Sequence, residues 1–435
     1  MHIRQLAIIV CLLLTQSVLA SPEIQHWQTN NGAKVLFVNS PELPMLDIRV
    51  VFDAGSARDG HGLSGQAVMT NTMLSEGAGG YSADDIATAF ESVGAQFSQD
   101  AQRDMAVLSL RTLTTSSVLS SALSMFKVVL TEPDFNEADF QRMKKQVQLA
   151  ITAEKQSPAA IGRRTFYQQL YQSHPYATMP IGHQKSVAVL TRDEIQQFYR
   201  QYYVARNATI VLVGAIEQSK AKTIANTITA GLVSGEKAKE LPKVAALTKA
   251  QTVHIPFPSQ QTHIFMGQPG ISRDDPDYFP LYVGNHILGG SGLVSQISRV
   301  IREEHGLAYS AYSYYRPMRQ LGPYQFGLQT QNKTANEALQ KLKQTVADFI
   351  RKGPSQAELE AAKQNITGGF ALRIDSNRKI TDYIAMIGFY GLPLDYLMTF
   401  KQNVEAVTAQ DIQTAYQRRV NSDKMVTVLV GEKKQ

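Results

Sequence analysis

Chemistry at a protein site needs nucleophiles, proton carriers or metal ligands at workable spacing, and few candidates in this chain pass that filter. Its 435 residues include nine histidines, at positions 2, 26, 61, 174, 183, 254, 263, 286 and 305. No two of them stand three or four apart, the spacing that places two imidazoles on one helix face around a zinc ion. The single cysteine, Cys11, lies in an apolar stretch near the start, so disulfides, thiolate nucleophiles and cysteine metal sites are excluded beyond it. Gly289-Gly290-Ser291-Gly292 lacks the Lys-Ser/Thr ending of a phosphate loop, and Ser291 lacks the Gly-x-Ser-x-Gly setting of a hydrolase nucleophile. A tight turn before a helix over 293–304 accounts for it. His61, His174, His183 and His286 read as structural or surface histidines. Arg302 and Tyr309, seven positions apart, carry hydrogen-bond donors. By residue type alone they read as a helix ion pair and a packed tyrosine.

The elements that would position these residues follow from period and capping. Strands are expected over 34–39, 46–54, 96–100 and 105–113, and helices over 62–74, 82–93, 117–130 and 137–154. Ser82 can cap the free amides of the second of these helices, with Asp84 and Asp85 favoured by its dipole. The pattern is α+β.

A repeat divides the chain. Thr191-Arg-Asp-Glu-Ile195 leads through Phe198-Tyr199 to Ile210-Val-Leu-Val-Gly214. Thr408-Ala-Gln-Asp-Ile412 leads through Ala415-Tyr416 to Thr427-Val-Leu-Val-Gly431. The two series keep one offset without a gap, so each half ends in a Thr-capped helix feeding a strand, as two copies of one domain would. The expected organisation is a leader over residues 1–20, domains over 21–235 and 251–435, and a surface linker over 236–250, a stretch rich in Lys, Ala and Glu.

The leader has a basic start (His2, Arg4), an apolar run from Leu6 to Leu14 and the small-residue end Val18-Leu19-Ala20. It reads as a secretory signal peptide cut after Ala20. No later stretch is apolar enough to span a bilayer, so a secreted, periplasmic protein without a membrane anchor is expected. The formal charge of +6 is spread among interspersed acids, with no basic block of the kind that tracks nucleic acid. Lys433-Lys434 reads as a solvated tail.

Several stretches carry a family resemblance. His174-Pro-Tyr176, Pro180-Ile-Gly182, Leu190-Thr191, Tyr202-Tyr203 and Val211-Leu-Val-Gly214 resemble the end of the first domain of pitrilysin/insulinase zinc metallopeptidases. Leu288-Gly-Gly290, Ser298-Arg299, Arg302-Glu-Glu304 and Gly306-Leu-Ala-Tyr-Ser310 resemble the signature of that family's second domain. The resemblance covers nearly the whole chain beyond the leader and implies two tandem homologous α/β-roll domains.

Active members of the family carry His-x-x-Glu-His on the first long helix, two imidazoles for zinc and a glutamate that takes a proton from the metal-bound water. Set back from Gly77-Ala78, these positions fall on Val68-Met-Thr-Asn71-Thr72. Val68 has no lone pair, Thr72 is a poor zinc ligand, and the amide of Asn71 is no base at neutral pH. The family's third ligand falls on Leu149. The nearest acid, Glu154, is rotated about 140° from it on a helix. The resemblance therefore implies no zinc bound by this chain and no catalytic residue of its own.

Arg302 and Tyr309 match an arginine and a tyrosine that, in the family, project from the second domain towards the zinc of the opposite half. There they can donate hydrogen bonds to the scissile carbonyl or to an extended peptide. The expectation is a non-catalytic subunit of a heterodimeric periplasmic zinc endopeptidase, paired with a homologous zinc-bearing subunit and acting on unfolded peptide substrates. The alternative is an inert structural or peptide-binding scaffold.

Overall fold

The computed structural model describes residues 23–432. The expected leader over 1–20 and the tail Lys433-Lys434 lie outside the described residues. The first half supplies β1 (Gln25–Gln28), β2 (Lys34–Asn39), β3 (Met45–Phe52), a two-stranded pair β4 (Gly77–Ala78) and β5 (Tyr81–Ser82), then β6 (Gln96–Ala101), β7 (Ala106–Leu113) and β8 (Ala208–Gly214). Apart from the β4–β5 pair these form one sheet in the order β1-β2-β8-β3-β7-β6. The second half supplies β9 (Gln251–Pro256), β10 (Gln261–Pro269), β11 (Ala311–Tyr315), β12 (Pro323–Gln331) and β13 (Val426–Gly431), ordered β11-β12-β10-β13-β9.

The repeat has a topological meaning. In each half the last strand returns to the middle of the sheet. There β8 runs parallel to β2 and antiparallel to β3, as β13 runs parallel to β9 and antiparallel to β10. A strand enclosed on both faces needs an unbroken apolar run, which Ala-Thr-Ile-Val-Leu-Val-Gly and Val-Thr-Val-Leu-Val-Gly provide, buried throughout. The helices feeding them, Arg192–Tyr202 and Ala409–Arg419, open with the same reciprocal cap. Glu194 N–H donates to Thr191 Oγ1 at 3.3 Å and Asp411 N–H to Thr408 Oγ1 at 3.1 Å.

Two helices cross between the halves. Pro158–Tyr171, from the first half, packs on β10 and β13 of the second sheet, where Gly162 lets its backbone approach the Phe265 ring: a Cβ there would sit 2.3 Å from that ring. Asn377–Tyr390, from the second half, packs on β3 and β8 of the first sheet, with Gly388 against Leu36 and Thr209. The exchange is held by polar contacts as well. Lys34 Nζ donates to Gly388 O at 3.1 Å, Ser40 Oγ to Asn377 Oδ1 at 2.7 Å, and Arg49 pairs with Asp382. Apolar clusters accordingly run across the boundary. One joins Leu36, Val211 and Val213 to Ile384 and Ala385; another joins Phe166 and Leu170 to Phe265, Val428 and Val430.

The segment expected to be a surface linker has no regular secondary structure, yet it is strapped down. Leu241 and Val244 are buried in the cluster built on Phe166 and Phe265. Pro242 O accepts from His174 Nε2 at 2.9 Å, Leu241 O from Gln320 Nε2 at 3.4 Å, and Ala238 N–H donates to Asn207 Oδ1 at 3.0 Å. Its charged residues face water while Ala238, Leu241, Val244 and Leu247, each three residues after the last, turn inward, a pattern that average composition conceals.

Candidate functional site

The helix that would carry a zinc motif spans Gln66–Met73, shorter than the expected 62–74. Gly62 and Gly65 hold left-handed backbone (φ +78° and +101°), which suits a turn and not a helix, so the helix starts only after the second of them. Asp59 replaces the missing side-chain cap. Gly65 N–H donates to its Oδ2 and Ala67 N–H to its Oδ1, both at 2.8 Å. Burial pushes this carboxyl up to about 8, against the two N–H donors that favour the charged form.

Within this helix Val68 and Thr72 share a face and are half-buried, while Asn71 turns into the core. The Asn71 amide donates to Tyr203 Oη at 3.2 Å, and burial raises the Tyr203 phenol well above its usual range. The position of the family's general base is thus a buried amide–phenol contact. Residues Tyr202-Tyr203 entered the sequence argument only as part of a motif; the role of Tyr203 as partner of Asn71 carries no signal that sequence spacing could reveal.

Leu149 lies on helix Glu137–Glu154, whose buried face is Phe140, Val147 and Ile151; its own side chain is 70% exposed. Glu154, the nearest acid, is committed to Arg164 in an ion pair and is no substitute ligand. The residues at the four motif positions do not fit a zinc ion: two are apolar, one is a hydroxyl and one is an amide already hydrogen-bonded. Among the described residues no group of three or more His, Cys, Asp or Glu side chains could hold a metal. His174 and His183 are caps. Tyr176 N–H donates to His174 Nδ1 at 3.1 Å and Ser186 N–H to His183 Nδ1 at 3.2 Å.

Arg302 lies in a π-helical turn, Arg299–Glu304, that continues the helix Gln296–Ser298; Tyr309 lies just before the edge strand β11. The ion pair of this turn is formed by Arg299 and Glu304, and Arg302 takes no part in it. Gly306, at φ +61°, reverses the chain, and Leu307 and Ala308 anchor the link between the two residues in the core. Tyr309 is 89% exposed. Neither side chain makes a hydrogen bond, ion pair or ring contact among the described residues. The packed tyrosine and paired arginine expected from residue type alone are therefore absent, and both donors stand without a partner among the described residues, Tyr309 next to the edge strand.

A duplicated α+β chain with an emptied motif helix in its first half and free donors in its second defines a metallopeptidase-like protein without the metal ligands. Residues 34–182 match insulinase (peptidase family M16) and residues 190–366 match the peptidase M16 inactive domain. The crystal structure of a peptidase M16 inactive domain from Pseudomonas fluorescens superposes with a TM-score of 0.91 at 38% identity, covering 94% of this chain and 98% of that one. The chain belongs to the M16 (insulinase) peptidase family, as an inactive-type homologue. The non-peptidase homolog YmxG of Helicobacter pylori is 24% identical over 423 residues, 96% of each chain. A subunit in the complex III2 structure from Candida albicans, at 16% identity and a TM-score of 0.79, shares the fold.

Proposed function

We propose that this chain is the non-catalytic subunit of a periplasmic zinc endopeptidase, supplying Arg302 and Tyr309 in trans to the active site of a homologous, zinc-bearing subunit that cleaves unfolded peptides. The observation that carries the reading is the contrast between the two halves. In the first, Asn71 is absorbed into a buried contact with Tyr203 and Leu149 is an exposed aliphatic. In the second, a guanidinium and a phenol are held ready by Leu307 and Ala308 with no partner among the described residues. Unpaired donors fixed by a buried link suit a site completed from outside, since preorganised donors stabilise the oxyanion of a peptide carbonyl without reorganisation at the moment of reaction. Zinc, on this reading, belongs to the partner.

Co-expression with an exported homologue that retains His-x-x-Glu-His tests the proposal. The two chains should co-purify, with zinc in the partner only. Arg302→Ala or Tyr309→Phe should leave association and zinc content unchanged while turnover falls about 10² to 10³-fold, as for the loss of an oxyanion donor. Wild-type turnover in both variants would remove the clamp role. An inert scaffold would associate without any dependence of turnover on these two residues.

A further inference from the structure

A cleft of about 380 Å³ opens between the end of helix Glu137–Glu154, the crossing helix Pro158–Tyr171 and residues 183–185. Its walls are apolar, built on Ile151, Ala160 and Ile161. Its one acid, Glu154, is neutralised by Arg164, which also donates from Nη1 to Gly182 O at 2.8 Å, so this pair is closed to a ligand.

Of the remaining polar groups, Thr165, Gln168 and Gln184 are neutral and can both donate and accept, while Lys155, Lys185 and His183 offer donors. Lys155 and Lys185 line the cleft and form no ion pair among the described residues. His183 uses Nδ1 to accept from Ser186 N–H at 3.2 Å, which puts the proton of the neutral ring on Nε2, and that N–H has no partner among the described residues. An apolar pocket of a few hundred Å³ with a small convergent polar group is the usual form of a small-ligand site. With Glu154 paired to Arg164, Lys155 and Lys185 leave the cleft with two uncompensated positive charges beside the His183 donor, which select an anion over a cation, and the adjoining aliphatic walls select an anion that ends an apolar chain.

We propose that this cleft binds a carboxylate terminating an apolar chain, with the chain against Ile151, Ala160 and Ile161 and the carboxylate at Lys155, Lys185 and His183 Nε2. Two sources share that chemistry, a free fatty acid and the C-terminus of a peptide with an aliphatic last residue. The inference needs no partner subunit and stands apart from the proposal for Arg302 and Tyr309.

The test is calorimetric titration of the full mature chain with octanoate, octylamine, and a short peptide ending in leucine as free acid or amide. Octanoate or the free-acid peptide should bind, and octylamine and the amide should not. Competition between peptide and octanoate identifies a peptide terminus as ligand; octanoate binding without peptide binding identifies a fatty acid. The variant Lys155→Glu/Lys185→Glu changes only exposed side chains, so it should fold and bind about tenfold or more weakly, as loss of charge-assisted hydrogen bonds requires. Ala160→Leu, which narrows the apolar wall, should weaken binding without altering the preference for carboxylate over amine. Equal binding of octylamine, unchanged affinity in the lysine variant, or no binding of either carboxylate overturns the proposal.

Discussion

Tyr390 donates its phenol proton to Asp104 Oδ2 at 2.9 Å, across 286 positions of sequence. Asp104 sits in the turn between β6 and β7 of the first half, Tyr390 at the end of the crossing helix of the second. The same carboxylate accepts from the phenol of Tyr176 and, at 2.8 Å, from the backbone N–H of Arg319. Tyr176 Oη in turn accepts from Gln320 N–H at 3.1 Å. One buried acid thereby fixes the β6–β7 turn of the first half against two elements of the second. Burial, and then the charge of Asp104, push the Tyr390 and Tyr176 phenols far above their usual range, so both stay protonated donors.

Asp104→Ala should lower stability by about 3–5 kcal/mol, because two buried phenols and a backbone N–H lose their acceptor together. Thermal melting reads this directly. A change under about 1 kcal/mol would mean that the phenols find other acceptors.

Gly162→Val should also destabilise, by about 1–3 kcal/mol from overpacking, since the space beyond its Cα is filled by Phe265. Gly368→Ala is the counterpart. Nothing lies within 4 Å of a Cβ at that helical position, so about 0.4–1 kcal/mol should be gained by restricting the unfolded chain. Opposite shifts in melting temperature for these two glycines would establish that close approach, and not helix propensity, sets the cost at the crossing helix.

Tyr309→Ala and Arg302→Ala should change stability by less than about 0.5 kcal/mol, Tyr309 being almost fully exposed and neither residue having a partner among the described residues. Denaturant midpoints measure this. A large loss in either variant would place the residue in the scaffold.

The buried histidines should make stability fall as pH drops below about 6.5, against the opposite slope of Asp59, which burial keeps protonated in the folded chain up to about 8. Burial lowers the pKa of His174 beneath its usual 6.5, against the pull of Pro242 O. Below 6.5 the unfolded chain therefore takes up a proton that the folded chain refuses, and the balance shifts towards unfolding until the lowered value is passed. His183, His263 and His286 are also lowered, in each case chiefly by burial, and add to the slope. His174→Asn keeps a side-chain acceptor for Tyr176 N–H and removes one titrating group, so its melting temperature should depend less steeply on pH between 7 and 5 than that of the parent.

How far the sequence could be read depended on how local the information was. The capped helices after Thr191 and Thr408, the central strands they feed and the cap at Ser82 are written in neighbouring residues, and the structure places them at those positions. The start of the motif helix was misplaced because two glycines three residues apart read as a helix entry until their left-handed backbone is seen. The strap at Leu241 and Val244 and the bond between Asn71 and Tyr203 depend on partners far along the chain. Nothing in a window around either residue encodes them. Of the site, the loss of ligands was legible because ligand chemistry is strict, whereas the freedom of Arg302 and Tyr309 is a property of their surroundings.

The exchanged helices divide labour within the molecule. Pro158–Tyr171 and Asn377–Tyr390 hold the halves together, and none of Val68, Asn71, Thr72 or Leu149 lies on either of them. Substitutions that erase a metal site therefore leave the joint untouched, while substitutions in the joint would disrupt both halves at once. A duplicated fold wired in this way keeps its shape when its motif positions change, because the elements that join the halves are not the ones that carried those positions.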